Sequence, residues 1–249
     1  MQELLLRKRF ELHIAELGAK FDPINAVSNT FSIYKERPYH NLEHIRDGYF
    51  HIKHLIGSSP LLMNTVATAW LFHDFYDPTS SEAIDRSKNG ARFFLENCGL
   101  PSISIDHVCD FIEYTRNHDG ASIKWPEASY AAINDADLLV LASTRNTYLE
   151  YLKNIRKEYN MYTDKEFMSG RKKFVEKMLG RERLFWFEYN TNYVTKILER
   201  SARENLKWEL DRFKNIYSEF MLTNKYKIFA EQKGIEVTML ARNNGFPLQ

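Results

Sequence analysis

Along most of this sequence apolar side chains return every three or four positions, the period of an amphipathic α-helix. Glu3 to Ala19 reads as a first helix, broken at Asp22-Pro23. A second segment starts at Arg37-Pro38 and carries Leu42, Ile45, Tyr49, Ile52 and Ile56 on one face. Gly57-Ser-Ser-Pro60 stops it, with Ser59 placed to cap the next helix and Pro60 at its first position. That third helix aligns Leu62, Val66, Ala69 and His73 and ends near a turn at Asp77-Pro78. Further helices are predicted from about Ser80 to Asn97, from Ser104 to Asn117, from Trp125-Pro126 through Asp137 to Leu141, from Thr144 to Tyr159, from Asp164 to Leu179 and from Glu188 to about Leu222. Gly99-Leu-Pro101 and His118-Asp-Gly120 supply the breaks between them. No alternating strand pattern of convincing length occurs, so the expected fold class is all-α. Residues 223–249, with Asn243-Asn244-Gly245, change character and read as a tail.

Composition narrows the class further. At 249 residues with 44% apolar side chains, the chain can bury a large core without a disulfide or a metal holding it together. Lys plus Arg number 34 against 33 for Asp plus Glu, which leaves no electrostatic footprint for duplex nucleic acid or an anionic membrane. The N-terminus has no apolar stretch long enough for a signal peptide, and the most hydrophobic window, Leu61 to Tyr76, is interrupted by Asn64, Thr65, Thr68, His73 and Asp74. A cytoplasmic protein is expected. Cys98 and Cys109 form no Cys-x-x-Cys pair and are expected to be free, partly buried thiols.

Three places carry candidate chemistry. In Tyr39-His40-Asn41-Leu42-Glu43-His44 the two histidines stand four apart, which on a helix brings them to one face, about 5–6 Å apart at Cβ. His73-Asp74 ends the stripe of the third helix, and a carboxylate beside an inward-facing imidazole must be paired or bind a metal. In Asn134-Asp135-Ala136-Asp137-Leu138, Asp137 shares a face with Ile133 and Val140 and also needs a partner. Each alone has an ordinary structural explanation: a solvated face, a satisfied core histidine, a salt bridge. Together they offer His, His-Asp and Asp from three separate helices.

That order resembles the HD superfamily of metal-dependent phosphohydrolases. The likeness extends over Arg37-Pro-Tyr-His-Asn-Leu-Glu-His-Ile45, Ala69-Trp-Leu-Phe-His-Asp-Phe-Tyr-Asp-Pro78, Asp135-Ala-Asp-Leu138, Tyr148-Leu-Glu-Tyr151, Ile155-Arg-Lys-Glu-Tyr159 and Gly170-Arg171, and is similar to the bacterial subgroup of predicted metal-dependent HD phosphohydrolases. It covers roughly residues 5 to 210. It implies an HD-type helical bundle over residues 1–215, with 216–249 as an extension.

The resemblance also implies roles. His44, His73, Asp74 and Asp137 match the metal ligands, with Asp135 as the alternative to Asp137. The Tyr-His-Asn-x-x-His segment is also similar to one in cyclic-nucleotide phosphodiesterases, where the first histidine protonates the leaving oxygen. By that likeness His40 is the general-acid candidate, although a purine-clamp glutamine and a second acid-rich metal loop are missing. Glu82 matches a subgroup glutamate that could orient water or a ligand, or simply favour a helix start. His118 matches a subgroup histidine, and Arg37 could hold phosphate or make a structural bidentate pair. Two imidazoles and two carboxylates suit a divalent ion, with Mn, Fe, Co, Ni, Zn and Mg all arguable.

The implied function is a metal-dependent phosphohydrolase acting on a small, nucleotide-like phosphate ester or anhydride. A ligand-binding HD module without turnover and a nucleotide pyrophosphohydrolase are the alternatives.

Overall fold

In a computed structural model, which describes residues 2–116, 118, 127–186 and 192–233, all the regular structure is helical. The order is α1 (Gln2–Glu16), α2 (Ile24–Tyr34), α3 (Leu42–Ile56), α4 (Pro60–Phe72), α5 (Ala83–Asn97), α6 (Ser102–Tyr114), α7 (Glu127–Leu138), a 3₁₀ turn (Leu139–Ala142), α8 (Arg145–Glu158), α9 (Asp164–Leu179) and α10 (Asn192–Lys233). Among the described residues no helix is long and apolar enough to cross a membrane. Cys98 and Cys109 are free and buried.

Most predicted elements are present with shifted ends. The first helix stops at Glu16 because Gly18 takes a left-handed φ of 99°. The predicted start at Ser80 moves to Ala83, since Asp77 first closes a local turn by accepting from the Thr79 amide at 2.9 Å. The sequence reading left the stretch between Asp22-Pro23 and Arg37-Pro38 without an element, yet it holds α2. Its Ser, Asn, Thr and β-branched residues are modest helix formers. Burial of Ala26, Val27, Phe31 and Tyr34 supplies what propensity does not. Helix α10 contains neither Gly nor Pro and runs through the boundary expected at 215 and past Leu222. The turn at 119–120, the opening at Trp125-Pro126, the start at Glu188 and residues 234–249 of the tail lie outside the described residues.

Two apolar cores are built. The first gathers α1 to α7 around α4, whose residues Thr65 to Phe72 are all buried. A helix apolar all round belongs at the centre of its core. The second gathers the 3₁₀ turn, α8, α9 and α10 around Tyr148, Leu152, Val175 and Leu206. A cavity of about 620 Å³ is lined by His40, Asp74 and Asp137 together with Tyr151, Phe167 and Phe174.

Candidate metal centre

The centre begins where α4 ends. A helix C-terminus leaves carbonyl oxygens without helical partners, and here side chains take them up. Tyr34 Oη donates to the Leu71 carbonyl at 2.9 Å, and His73 Nδ1 lies 2.8 Å from the Trp70 carbonyl. The Arg37 guanidinium donates to the carbonyls of Asp74 and Phe75, the latter at 3.1 Å. With Nδ1 used as a donor to Trp70, His73 presents Nε2 to the interior. Arg37 thus holds the backbone of the His73-Asp74 pair, the bidentate structural role, and is turned away from the cavity.

His44 arrives from the first turn of α3. Asn41 caps that helix, its side chain accepting from the Glu43 and His44 amides at 2.8 and 3.3 Å. The indole of Trp70 stacks on His73 with centroids 4.0 Å apart and packs on His44 at 5.0 Å, so one ring fixes both imidazoles. Trp70 itself donates to the Ile45 carbonyl at 2.8 Å. It fits because residue 48 is glycine: a Cβ there would lie 2.0 Å from the indole.

Asp137 comes from the last turn of α7. The four residues His44, His73, Asp74 and Asp137 each offer one ligand atom, all within 4.8 Å of one another. His44 Nε2 and His73 Nε2 face each other at 3.4 Å. Asp137 Oδ1 lies 3.5 Å from the first and 3.9 Å from the second. Asp74 Oδ2 is buried with no aligned hydrogen bond, although His73, His44 and His40 Nε2 stand 3.0, 3.7 and 3.8 Å away. Buried carboxylate oxygens are normally hydrogen-bonded. An oxygen left unbonded amid converging lone pairs is the arrangement a cation completes. The donor set of two nitrogens and two carboxylates therefore fits a divalent ion.

Asp135 does not join this group. Its Oδ1 accepts from Asn134 Nδ2 and from the Trp186 amide, both at 2.9 Å, which fastens α7 to the segment before α10.

The electrostatics agree with the geometry. Burial, together with the positive field of His73 and His40, pushes His44 down to about 4, so its imidazole is neutral at pH 7. Burial also acts to lower His73, but the charge of Asp74 outweighs it and the imidazole is raised. Burial alone would raise Asp74. The surrounding imidazoles, His73 foremost, hold it well below the usual carboxylate range.

His40 departs from expectation in its placement. It does not share a helix face with His44, because the cap at Asn41 puts it in the turn before α3. Its ring still comes within 5.6 Å of His44, centroid to centroid. Glu43 and Glu82 are both exposed, whereas Glu158 at the end of α8 lies 3.1 Å from His40 Nδ1. Glu158 Oε2 also accepts from the Tyr39 and His40 amides at 3.1 and 3.2 Å. Burial lowers the His40 pKa, but Asp74 and Glu158 more than compensate and carry it up to about 9. A bound dication would act against that rise.

Glu82 points to solvent and pairs with Arg86 at 2.9 Å, one turn on. The structure thus keeps it out of the centre. His118 does reach it: Nε2 lies 3.4 Å from Asp137 Oδ2. Its backbone takes a left-handed φ of 54°, which costs a non-glycine residue about 1 kcal/mol, and Arg181 holds its carbonyl at 2.9 Å. Burial lowers the His118 pKa. The residue that sequence reasoning missed is Glu158, for which one local signal exists. It continues the buried stripe Tyr148, Tyr151, Leu152, Ile155 at helical spacing, as an acid in a last turn where the helix dipole disfavours one.

The chain matches no protein-family model, no curated protein and no solved structure.

Proposed function

We propose that this chain is a divalent-metal-dependent phosphohydrolase acting on a small phosphate ester or anhydride, of the HD type that its motifs resemble. The observation that carries the reading is the convergence of His44, His73, Asp74 and Asp137, with an unbonded buried carboxylate oxygen, at the wall of a ligand-sized cavity. An ion held by these four residues would supply water activation and neutralise phosphate charge.

The chain's own residues supply the rest. His73 and His44 are held by Trp70 and by the capped start of α3, so their nitrogens need no reorganisation. Asp74 stays ionised and can orient a water as well as bind. His40 lines the same cavity, is protonated at neutral pH in the metal-free protein, and is backed by Glu158. A proton at His40 Nε2 is placed for transfer to a leaving oxygen in the cavity. Glu158 remains ionised behind it and fixes both the ring and the Tyr39–His40 backbone.

The test is phosphate release from a panel of monoesters, diesters and nucleotides by protein supplied in turn with manganese, cobalt and zinc, beside the His73→Ala variant. Metal-dependent release that the variant lacks is the expected result. Metal binding without turnover on any member would instead support a ligand-binding module. Release of pyrophosphate in place of orthophosphate would reassign the reaction.

A further inference from the structure

We infer that His118 is a positioning residue of the metal centre: it holds one carboxylate oxygen of Asp137, so that the other stays turned toward His44 and His73. The inference rests on the metal centre proposed above and on no particular substrate. Two observations lead to it, one at the carboxylate and one in the backbone.

The two oxygens of Asp137 face different partners. Oδ1 lies 3.5 Å from His44 Nε2 and 3.9 Å from His73 Nε2. Oδ2 lies 3.4 Å from His118 Nε2. A carboxylate oxygen only accepts, so the imidazole nitrogen that faces it is the one to carry a proton. The last torsion of an aspartate is broad, and a carboxylate at the end of α7 with nothing to hold it could turn either oxygen inward or swing both away. With Oδ2 held by His118, Oδ1 is the atom offered to an ion. His118 itself is outside the group of four residues whose ligand atoms all lie within 4.8 Å of one another. It therefore acts on the ion through Asp137. Carboxylates that bind metals are commonly fixed by an outer partner of this kind.

The backbone at residue 118 is left-handed, with φ 54°. A residue with a Cβ stays there only when its surroundings enforce it. The enforcement can be traced. Arg181 Nη1 donates to the His118 carbonyl at 2.9 Å. Arg181 belongs to the segment after α9, and Arg203 of α10 takes up the carbonyls of that segment. Arg203 Nη1 donates to Leu179 at 3.1 Å, and Nη2 to Arg181 and Glu182 at 2.7 and 3.0 Å. Glu199, one turn before Arg203, accepts from its Nε at 2.6 Å. Helix α10 thus braces the segment, and the segment braces residue 118. Glycine or asparagine would adopt the same φ with less strain. What histidine adds at this position is the imidazole, delivered to the oxygen of a ligand residue.

The experiment measures manganese affinity and stoichiometry on the full chain, by competition with a fluorescent chelator, for the parent, His118→Ala, His118→Gln and His118→Asn. Circular dichroism and the denaturant midpoint of the metal-free proteins are read alongside. His118→Ala should bind manganese about 10–100-fold more weakly. Glutamine can place an amide N–H near where Nε2 stands and should restore most of that loss. Asparagine suits the left-handed backbone but is too short to reach Oδ2, so it should bind as weakly as alanine. A role confined to the backbone turn predicts the reverse order, with asparagine rescuing and the alanine variant losing stability in step with affinity. That order, a His118→Ala variant that binds like the parent, or a parent with two ions of which His118→Ala loses one would each overturn the inference and leave the metal centre standing. A parent protein that takes up no manganese would overturn both.

Discussion

Asp74 and Glu209 are both buried carboxylates beside basic side chains, and both lie within one residue shell of the same cavity. Their surroundings differ atom by atom. Glu209 is fully enclosed, and each of its oxygens receives a hydrogen bond: Arg171 reaches both, and Tyr148 Oη donates to one. Arg171 spends a further donor on Tyr151. Charge and hydrogen bonds close on themselves there, tying α8, α9 and α10 together. Asp74 Oδ2, by contrast, sits among three imidazole nitrogens at 3.0 to 3.8 Å with no well-aligned hydrogen bond to any of them. A satisfied buried network is architecture, whereas converging donors left unsatisfied mark a site that takes something in.

The comparison can be broken most forcefully at the centre itself. His73→Ala should lose the metal and all metal-dependent turnover while keeping its helical circular-dichroism signal, since the core around α4 does not depend on the ion. Metal content and ellipticity measured on one sample would check this. An unfolded variant would make the ion chiefly structural.

His40→Ala comes next. It should keep its metal but turn over esters with poor leaving groups about 10²–10⁴-fold more slowly. Nitrophenyl phosphate, whose leaving group needs little protonation, should suffer far less. Equal losses on both would make His40 a phosphate or metal ligand instead.

Glu209→Gln probes the closed network. It leaves Arg171 buried without its counter-charge, and a loss of about 3–5 kcal/mol is expected in denaturant unfolding. The double change Arg171→Met with Glu209→Leu should recover much of that loss, because it removes the buried charges together. Metal stoichiometry should not change in either.

Acidity gives a smaller, graded effect. In the metal-free protein burial lowers the His73 pKa but Asp74 more than offsets it, so protons compete with an ion for His73 more strongly than for an ordinary imidazole. Metal affinity should therefore climb with pH until His73 is neutral and fall as the medium is acidified, with protons released on binding. His44, already lowered to about 4, should contribute little. Glu82→Gln, at the small end, should alter neither metal binding nor turnover, because its exposed carboxylate pairs with Arg86 and is not part of the centre.

What the sequence reveals follows from how local each feature is. His44, His73, Asp74 and Asp137 could be found because each stands on or at the end of a strongly apolar helical stripe, where a polar side chain is conspicuous. Asp137 could not be separated from Asp135 by residue spacing. What separates them is the Trp186 amide, 51 residues away in the chain, which occupies Asp135. The pairing of His40 with Glu158 spans 118 residues and depends on how α8 packs beside the start of α3. The position of His40 was misjudged by one local feature, the Asn41 cap, which starts the helix two residues later than the histidine spacing suggests. Helix α2 was hidden because its residues are indifferent helix formers, held by tertiary burial.

The most direct test of the distinction between the two carboxylates is calorimetric titration of chelator-treated protein with manganese or cobalt, on the parent chain, Asp74→Asn and Glu209→Gln. The parent and Glu209→Gln should each take up one ion per chain, and Asp74→Asn should bind at least about tenfold more weakly. A parent protein that binds no ion, or an Asp74→Asn variant that binds as tightly as the parent, would contradict the account.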